Sequence, residues 1–327
     1  ELSPFSKYEI KGELAHSELQ RLCTANIKNE KGKSTYTQML NKAGGIETDL
    51  TVICIDKNNF RIISSAATRS HDKAHILKHL SKEIEFNDIT DDLACLGLFG
   101  PKSRKLMSSL SNEDFSNENF KFGTGKFINI KSKKIWIQRL SYVGELGFEV
   151  YIKNEDANEI YNLIVKKGKN FNLSHCGAHA MDTMRMESGF LHWGHDISPE
   201  ENQYEAKLDF TISYKKNINF IGRDILLRTK DKKQIKKFVM LSLKDKNPGN
   251  PLLIHEEPIY LDNKIIGRTT SGNYSFNYKK NISFGYVSCE FTDEELNNKN
   301  IYIEVAKHKH PAYIEAKPLK DKKARLS

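Results

Sequence analysis

The chain has 327 residues, 38% of them hydrophobic, and a net charge of +9. That is enough apolar material for a buried core and for two or three packed units, so an ordinary globular protein is expected. The positive charge is mostly lysine sprinkled among acids, as in KDKKQIKK and KPLKDKK, which reads as a solvated surface and not as the arginine-rich, aromatic face of a nucleic-acid binder.

A mild positive field of this kind still draws anionic ligands such as a polycarboxylate. No run of about 18 apolar residues occurs, and ELSPFSKYEIKG lacks the charged-then-apolar pattern of a secretory leader. A soluble cytoplasmic protein without a membrane span is therefore expected. The first methionine is Met39, as expected of a piece of something longer. Cys23, Cys54, Cys95, Cys176 and Cys289 are odd in number and scattered, so reduced, mostly buried thiols are expected. His192 and His195 stand three apart, but no cysteine or third histidine is near them in the sequence. No metal is expected.

In chain order, KYEIKGELAHSELQRL reads as a strand ending at Gly12 and a helix with Leu19 and Leu22 on its apolar face. A glycine-led strand, GGIETDLTV, comes next, then FRIISSAAT as another strand and DKAHILKHLSKE as an amphipathic helix. LGLFGPKSRKLMSSL repeats the first pattern, with Gly100 as the turn and Met107 and Leu110 at the matching offsets. FINIKSKKIWIQRL and GFEVYIK follow as strands and EDANEIYNLIVKKG as a helix. The chain thus reads as a duplicated α+β unit, two antiparallel sheets with helices to one side of each. CGAHAMDTMRMESGF continues as a helix with apolar positions Ala180, Met184 and Phe190, and then becomes loop. From about residue 235, short β runs separated by Pro, Gly and Asn predict a small all-β barrel or sandwich. The expected domains are 1–95, 96–232 and 233–327.

Three stretches can carry chemistry. In GGIETDLTV, period-two alternation puts Ile46, Thr48, Leu50 and Val52 on one face and Glu47, Asp49 and Thr51 on the other. A half-exposed strand explains two acids equally well. In SYVGELGFEV, a turn between Tyr142 and Phe148 leads to Glu149, flanked by Phe148 and Val150. In MDTMRMESG, Arg185 stands three after Asp182, which suits either an intrahelical ion pair or an arginine aimed into a cleft.

Together with IIGRTTSGNYSFNYKKNISFGYV, FIGRDIL and LFGPKSRKLM, these stretches resemble the folate-binding aminomethyltransferase family, that of the glycine cleavage T-protein. The likeness runs through nearly the whole chain in the family's order. ELSPFSKYEIKG and ESGFLHWGHDISPEENQYEA are more similar to the C-terminal folate-binding half of dimethylglycine and sarcosine dehydrogenases. The resemblance implies three domains around a central channel that holds tetrahydrofolate. It also implies FAD only if a flavin domain lies upstream, since no GxGxxG fingerprint occurs in the chain.

By this resemblance Asp49 is the functional aspartate near N5 and N10 of the folate, able to orient or deprotonate the attacking nitrogen and to stabilise nearby positive charge. Glu149 grips the pterin, whose amino group and ring N–H form a planar donor pair. Tyr142 lines the folate site, and Arg185 belongs to it, serving the pterin or the glutamate end. Glu47 matches no functional residue and is expected at the surface. The implied reaction moves a one-carbon unit from a small methylated amine or aminomethyl donor to folate, giving 5,10-methylenetetrahydrofolate. A lipoyl carrier protein or a flavin domain is the implied partner.

Two positions depart from the pattern, Lys207 where the family usually has glycine and Ser65 where asparagine is common. Two alternatives remain open, a stand-alone T-protein and a non-catalytic folate binder that supports iron–sulfur proteins. The second has a cysteine signature in its KGCYxGQ-like motif, and NFIGRDI lacks it.

Overall fold

The computed structural model describes residues 1–325. The first unit contains β1 (Ser6–Lys11), α1 (Ala15–Leu22), β2 (Ser34–Leu40), β3 (Ile46–Asp56), β4 (Asn59–Ser64), α2 (Arg69–His79) and β5 (Glu85–Asp88). Its strands form an antiparallel sheet in the order β2-β3-β4-β1-β5. The second unit contains β6 (Leu93–Phe99), α3 (Ser103–Leu110), β7 (Gly125–Ile130), β8 (Lys133–Gln138), β9 (Gly147–Lys153) and α4 (Asn154–Gly168). Its sheet order, β7-β8-β9-β6, repeats β2-β3-β4-β1 strand for strand. The duplication read from the sequence is therefore real, with β5 as an extra edge strand. β2 and β5 were not among the expected strands.

Each sheet buries one face under its own helices. Leu50, Val52, Phe60 and Ile62 pack with Leu19 and Leu22 of α1 and Ile76 of α2. In the second unit, Ile128, Ile135, Phe148 and Val150 pack with Leu106 and Met107 of α3 and Ile160 and Ile164 of α4. Each fully buried Leu, Ile or Phe there contributes about 1.5–3 kcal/mol. A one-residue slip of β3 would turn Leu50 and Val52 away from the helices and Asp49 under them, so this burial fixes the register.

The other faces of the two sheets meet. Ile53 and Ile55 of the first share a cluster with Cys95, Trp136 and Tyr151 of the second. Backbone also crosses between the units: Gly125 N donates to Gly32 O at 2.8 Å. Gly32 has φ +85°, and a side chain there would put its Cβ 2.1 Å from Gly125 O, so only glycine suits this close approach.

Two further helices, α5 (Ala178–Glu187) and α6 (Arg223–Thr229), precede a closed barrel of β10 (Lys236–Leu243), β11 (Pro258–Leu261), β12 (Lys264–Ser275), β13 (Lys280–Ser288), β14 (Ile301–Val305) and β15 (His308–Ile314). The short helix α7 (Asp293–Asn298) opens on a capping box formed by Thr292 and Glu295. One face of β10 and β13, with Phe238, Met240, Ile282 and Phe284, packs against Leu40 and Ile46 at the head of the first sheet. The barrel is thereby seated beside the strand that carries Asp49.

Candidate functional site

The head of β3 answers why two glycines precede its acids. Gly44 has φ +88°, and a Cβ on Gly45 would lie 2.0 Å from Pro199 O. The glycines let the loop 193–201 close over the strand, where Ile46 N donates to Glu201 O at 3.0 Å and Trp193 Nε1 donates to Ile46 O at 3.1 Å. Asp49 then projects from the face of the sheet that looks toward the second unit.

Gln38, directly opposite on β2, donates from Nε2 to Asp49 Oδ1 at 2.8 Å. Gln38 is fully buried, and its own oxygen accepts from Gln203 Nε2 at 2.7 Å and from Thr211 Oγ1 at 2.6 Å. Tyr36, one pleat away, makes a second side-chain hydrogen bond to Asp49. Burial pushes the Asp49 carboxyl up to about 6, aided by the Asp72 charge, while the bonds from Gln38 and Tyr36 hold it lower than burial alone would. The residue still keeps part of its surface accessible. A carboxyl that is desolvated yet reachable, and that titrates near neutrality, suits proton transfer at an enclosed site.

Glu149 occupies the facing sheet. It lies in the middle of β9, paired with Gly97 of β6 on one side and Gln138 of β8 on the other. Tyr151 donates its hydroxyl to Glu149 Oε2 at 2.6 Å. Burial raises the Glu149 carboxyl, and the Tyr151 bond opposes that rise. An open cleft of about 500 Å³ between the sheets is lined by Glu9, Arg61, Trp136 and Tyr151, among others. None of the four expected site residues lines that cleft.

Tyr142 sits in the turn between β8 and β9. Its hydroxyl donates to Leu191 O at 2.9 Å, and its ring stacks on Phe190 with centroids 6.0 Å apart. Burial raises its pKa, and the charges of Arg185, Asp196 and Asp49 reach it. Asp49, Tyr142 and Arg185 are thus drawn into one electrostatic neighbourhood, while Glu149 keeps company with Tyr151 and Cys95.

Arg185 forms the intrahelical pair with Asp182, 2.8 Å from Nε to Oδ1, but much more besides. Nη1 donates to Asp196 Oδ2 at 2.5 Å and to Phe190 O at 3.0 Å, and Nη2 donates to Ser271 Oγ at 2.9 Å. Asp196 is itself completed by Thr270 Oγ1 and Ser271 Oγ, at 2.6 and 2.8 Å, and by His192 N at 2.9 Å. The arginine is therefore a buried knot tying α5, the 190s loop and β12 together. It does not extend from the helix into open space.

Three expectations need correction here. Glu47 is not a free surface acid: Asn41 Nδ2 donates to its Oε1 at 3.1 Å, and His71 Nε2 lies 3.1 Å from its Oε2. Ala180 is exposed, and the buried side of α5 is Thr183, Arg185, Met186 and Glu187, mostly polar because β12 supplies Ser271, Ser275 and Asn273 as partners. A third histidine does approach the 190s pair, His255, whose ring is 6.3 Å from that of His195. Among the described residues, even so, no group of three or more His, Cys, Asp or Glu is arranged to hold a metal. The cysteines are free, with Cys23, Cys54 and Cys95 buried and Cys176 exposed. Lys207 adopts φ +55°, the left-handed backbone that glycine favours, which is the physical meaning of that departure.

Residues 1–216 match the GCVT N-terminal domain, and residues 236–321 match the glycine cleavage T-protein C-terminal barrel domain. The chain belongs to the glycine cleavage T-protein family. It is 34% identical over 325 residues to the 4-methylaminobutanoate oxidase (formaldehyde-forming) of Paenarthrobacter nicotinovorans, covering 99% of this chain and 38% of that protein. It is 32% identical to the mitochondrial dimethylglycine dehydrogenase of Rattus norvegicus, covering 98% of this chain and 37% of that one. An aminomethyltransferase of Anoxybacillus flavithermus is 29% identical, with 89% of this chain and 79% of that protein covered. The chain thus spans less than two fifths of the oxidase and the dehydrogenase. The crystal structure of the glycine cleavage system aminomethyltransferase T from Bartonella henselae has the same fold, with a TM-score of 0.85 at 20% identity over 98% of this chain and 85% of that one.

Proposed function

We propose that this T-protein family chain binds tetrahydrofolate and transfers a one-carbon unit to it, giving 5,10-methylenetetrahydrofolate, as the folate-binding part of a dimethylglycine or sarcosine dehydrogenase-like enzyme. The observation that carries the reading is Asp49, a desolvated carboxyl with a pKa of about 6, anchored by Gln38 and Tyr36 on the face that looks toward the sheet of Glu149. The relatives whose names include methylated amines are 34% and 32% identical to this chain, against 29% for the aminomethyltransferases, which supports a methylated amine as the source of the carbon over a lipoyl carrier. A flavin domain would be the partner that prepares that donor. We divide the chain into units 1–95, 96–232 and 233–327 on the same reading.

The residues present fit a reduced folate. Glu149, an accessible carboxylate fixed by Tyr151, offers oxygens to the paired amino and ring N–H donors of a pterin. Tyr142 presents an aromatic face whose hydroxyl is already committed to Leu191 O, so its orientation is set before any ligand arrives. When bound, the folate supplies the nucleophilic nitrogen. Asp49 receives or holds the proton of that nitrogen, and its ionised form stabilises positive charge on the arriving carbon. Arg185 acts as a positioning residue that locks the loop carrying Leu191 and Trp193.

Replacing Asp49 by Asn tests the assignment, because the amide keeps size and polarity but cannot take the proton. Turnover of tetrahydrofolate with a one-carbon donor should fall by roughly 10²–10⁴, the usual contribution of a positioned acid or base. Folate affinity should stay within about threefold. Wild-type turnover in the variant would end the assignment.

A further inference from the structure

Glu47 and His71 stand outside the site described so far, yet they hold the strand that carries its central acid. The β3–β4 ladder begins at Leu50 opposite Ser64, so Ile46 to Asp49 lie beyond the end of β4; β2 is the only strand that pairs with them, and Ile46 N reaches Glu201 O besides. Even that single ladder is interrupted: Thr48 faces Met39 and Ile46 faces Leu40, which leaves Glu47 as an extra, bulged residue two positions from Asp49. A segment with one ladder and a bulge does not fix its own side-chain directions. Something else must.

Side chains from three other elements close on the bulge. Asn41, in the β2–β3 turn, donates to Glu47 Oε1 at 3.1 Å. His71, in the first turn of α2, places Nε2 3.1 Å from Glu47 Oε2 and Nδ1 3.3 Å from Asp72 Oδ1. Asp72 is buried, and Thr68 Oγ1 donates to its other oxygen at 2.7 Å. The His71 ring also packs on Trp193, centroids 5.3 Å apart, and Trp193 Nε1 holds Ile46 O. The imidazole is thus clasped by two carboxylates and an indole, each from a different part of the chain or helix.

We propose that His71, acting through the bulged Glu47, is a positioning residue that fixes the direction of the Asp49 carboxyl. The proposal rests on the reading of Asp49 as the group that handles the proton. The other charged or titratable groups facing this pair are His75 and His79 on α2, Lys42 in the β2–β3 turn, and Tyr36 and Asp72 beside Asp49. Breaking the clasp frees the bulge, and the Gln38 and Tyr36 bonds then have to aim the carboxyl without a fixed strand head behind it.

The test compares His71→Phe, which keeps a ring on Trp193 but no nitrogen for Glu47, with His71→Gln, which keeps a donor. The carboxyl carbon of Asp49 is followed by NMR in the unliganded chain labelled with ¹³C-aspartate, the signal being assigned by its loss in Asp49→Asn. His71→Phe and Glu47→Gln should each move its titration midpoint by at least half a pH unit, and His71→Gln should restore it at least in part. In turnover assays His71→Phe should lower kcat about tenfold with the folate KM within twofold. An unchanged Asp49 titration in folded His71→Phe and Glu47→Gln would overturn the proposal. The NMR readout needs no folate, so loss of folate turnover in the parent chain with a responsive Asp49 signal would count against the functional reading and leave the clasp standing.

Discussion

The two inner-face carboxyls are held in opposite ways. Glu149 sits in mid-strand with a ladder on each side and one side-chain partner. Asp49 sits at a strand head with a ladder on one side, a bulge next door, and a chain of buried side chains running from Gln38 to Gln203 and Thr211. Backbone fixes the first and side chains fix the second. It follows that the Glu149 position should tolerate distant substitutions, while Asp49 should register changes made in the 190s loop, in the 203–211 segment and in α2. A carboxyl that only grips gains from rigidity; one that takes and returns a proton needs a tuned environment, and tuning comes from neighbours.

The largest break in that comparison should come from the Arg185 knot. Arg185→Ala leaves Asp196 fully buried without its cation, a change that costs about 3–5 kcal/mol, measurable by urea unfolding. In whatever fraction stays folded, Asp49 function should suffer more than folate binding through Glu149, because the 190s loop carries Trp193 to the head of β3. Equal losses in both would remove the distinction.

Next in size is the pH response. A carboxyl raised to about 6 is ionised above that value, so kcat/KM should fall about tenfold per pH unit below 6 if the ionised form works. The stability linkage has the opposite sense. Because the folded pKa lies above the unfolded one, charged Asp49 destabilises the fold above pH 6, and this penalty fades as pH drops from 6 toward 4. Asp49→Asn should therefore be at least as stable as the parent at pH 8 by thermal unfolding, and its profile should lose the step near 6. A step that persists in the variant would assign it to another group.

The smallest expected effect sharpens the same contrast. Lys207 holds a left-handed backbone between Gln203 and Thr211, the two residues that support Gln38. Lys207→Gly relieves about 1–2 kcal/mol of that strain and loses part of the gain to unfolded-state entropy. A net stabilisation of about 0.5 kcal/mol in chemical denaturation is expected, with folate affinity unchanged. A destabilised variant would mean that the lysine side chain itself holds the segment.

Much of this architecture was legible in the sequence because it rests on periodicity. The strand-glycine-helix pattern at Gly12 and again at Gly100 exposed the duplication, and the close-set β runs after residue 235 exposed the barrel. β2 escaped because STYTQML has no clean apolar alternation: it packs apolar Met39 outward under the helices but turns Tyr36 and Gln38 toward the site. Counting back across the turn from Leu40 and Ile46 puts Gln38 opposite Thr48, and only the bulge at Glu47 brings it opposite Asp49. Spacing leaves Arg185 open between an ion pair with Asp182 and a place in a cleft, and it marks Glu187 not at all, because charged residues are rarely buried. The polar run of β12 that satisfies them lies nearly 90 residues away, and no local pattern announces such a pairing. Glu47 looked like solvent-face decoration for a similar reason, since its partner His71 comes from another element.

Whether a reduced folate is held through Glu149 is tested most directly by calorimetric titration of the chain and of Glu149→Ala with 5-formyltetrahydrofolate. Saturable one-to-one binding, weakened in the variant by about 1–3 kcal/mol, the scale for leaving a polar pair unmade, is the predicted result. No binding by the folded parent chain, or equal affinity in the variant, would contradict it.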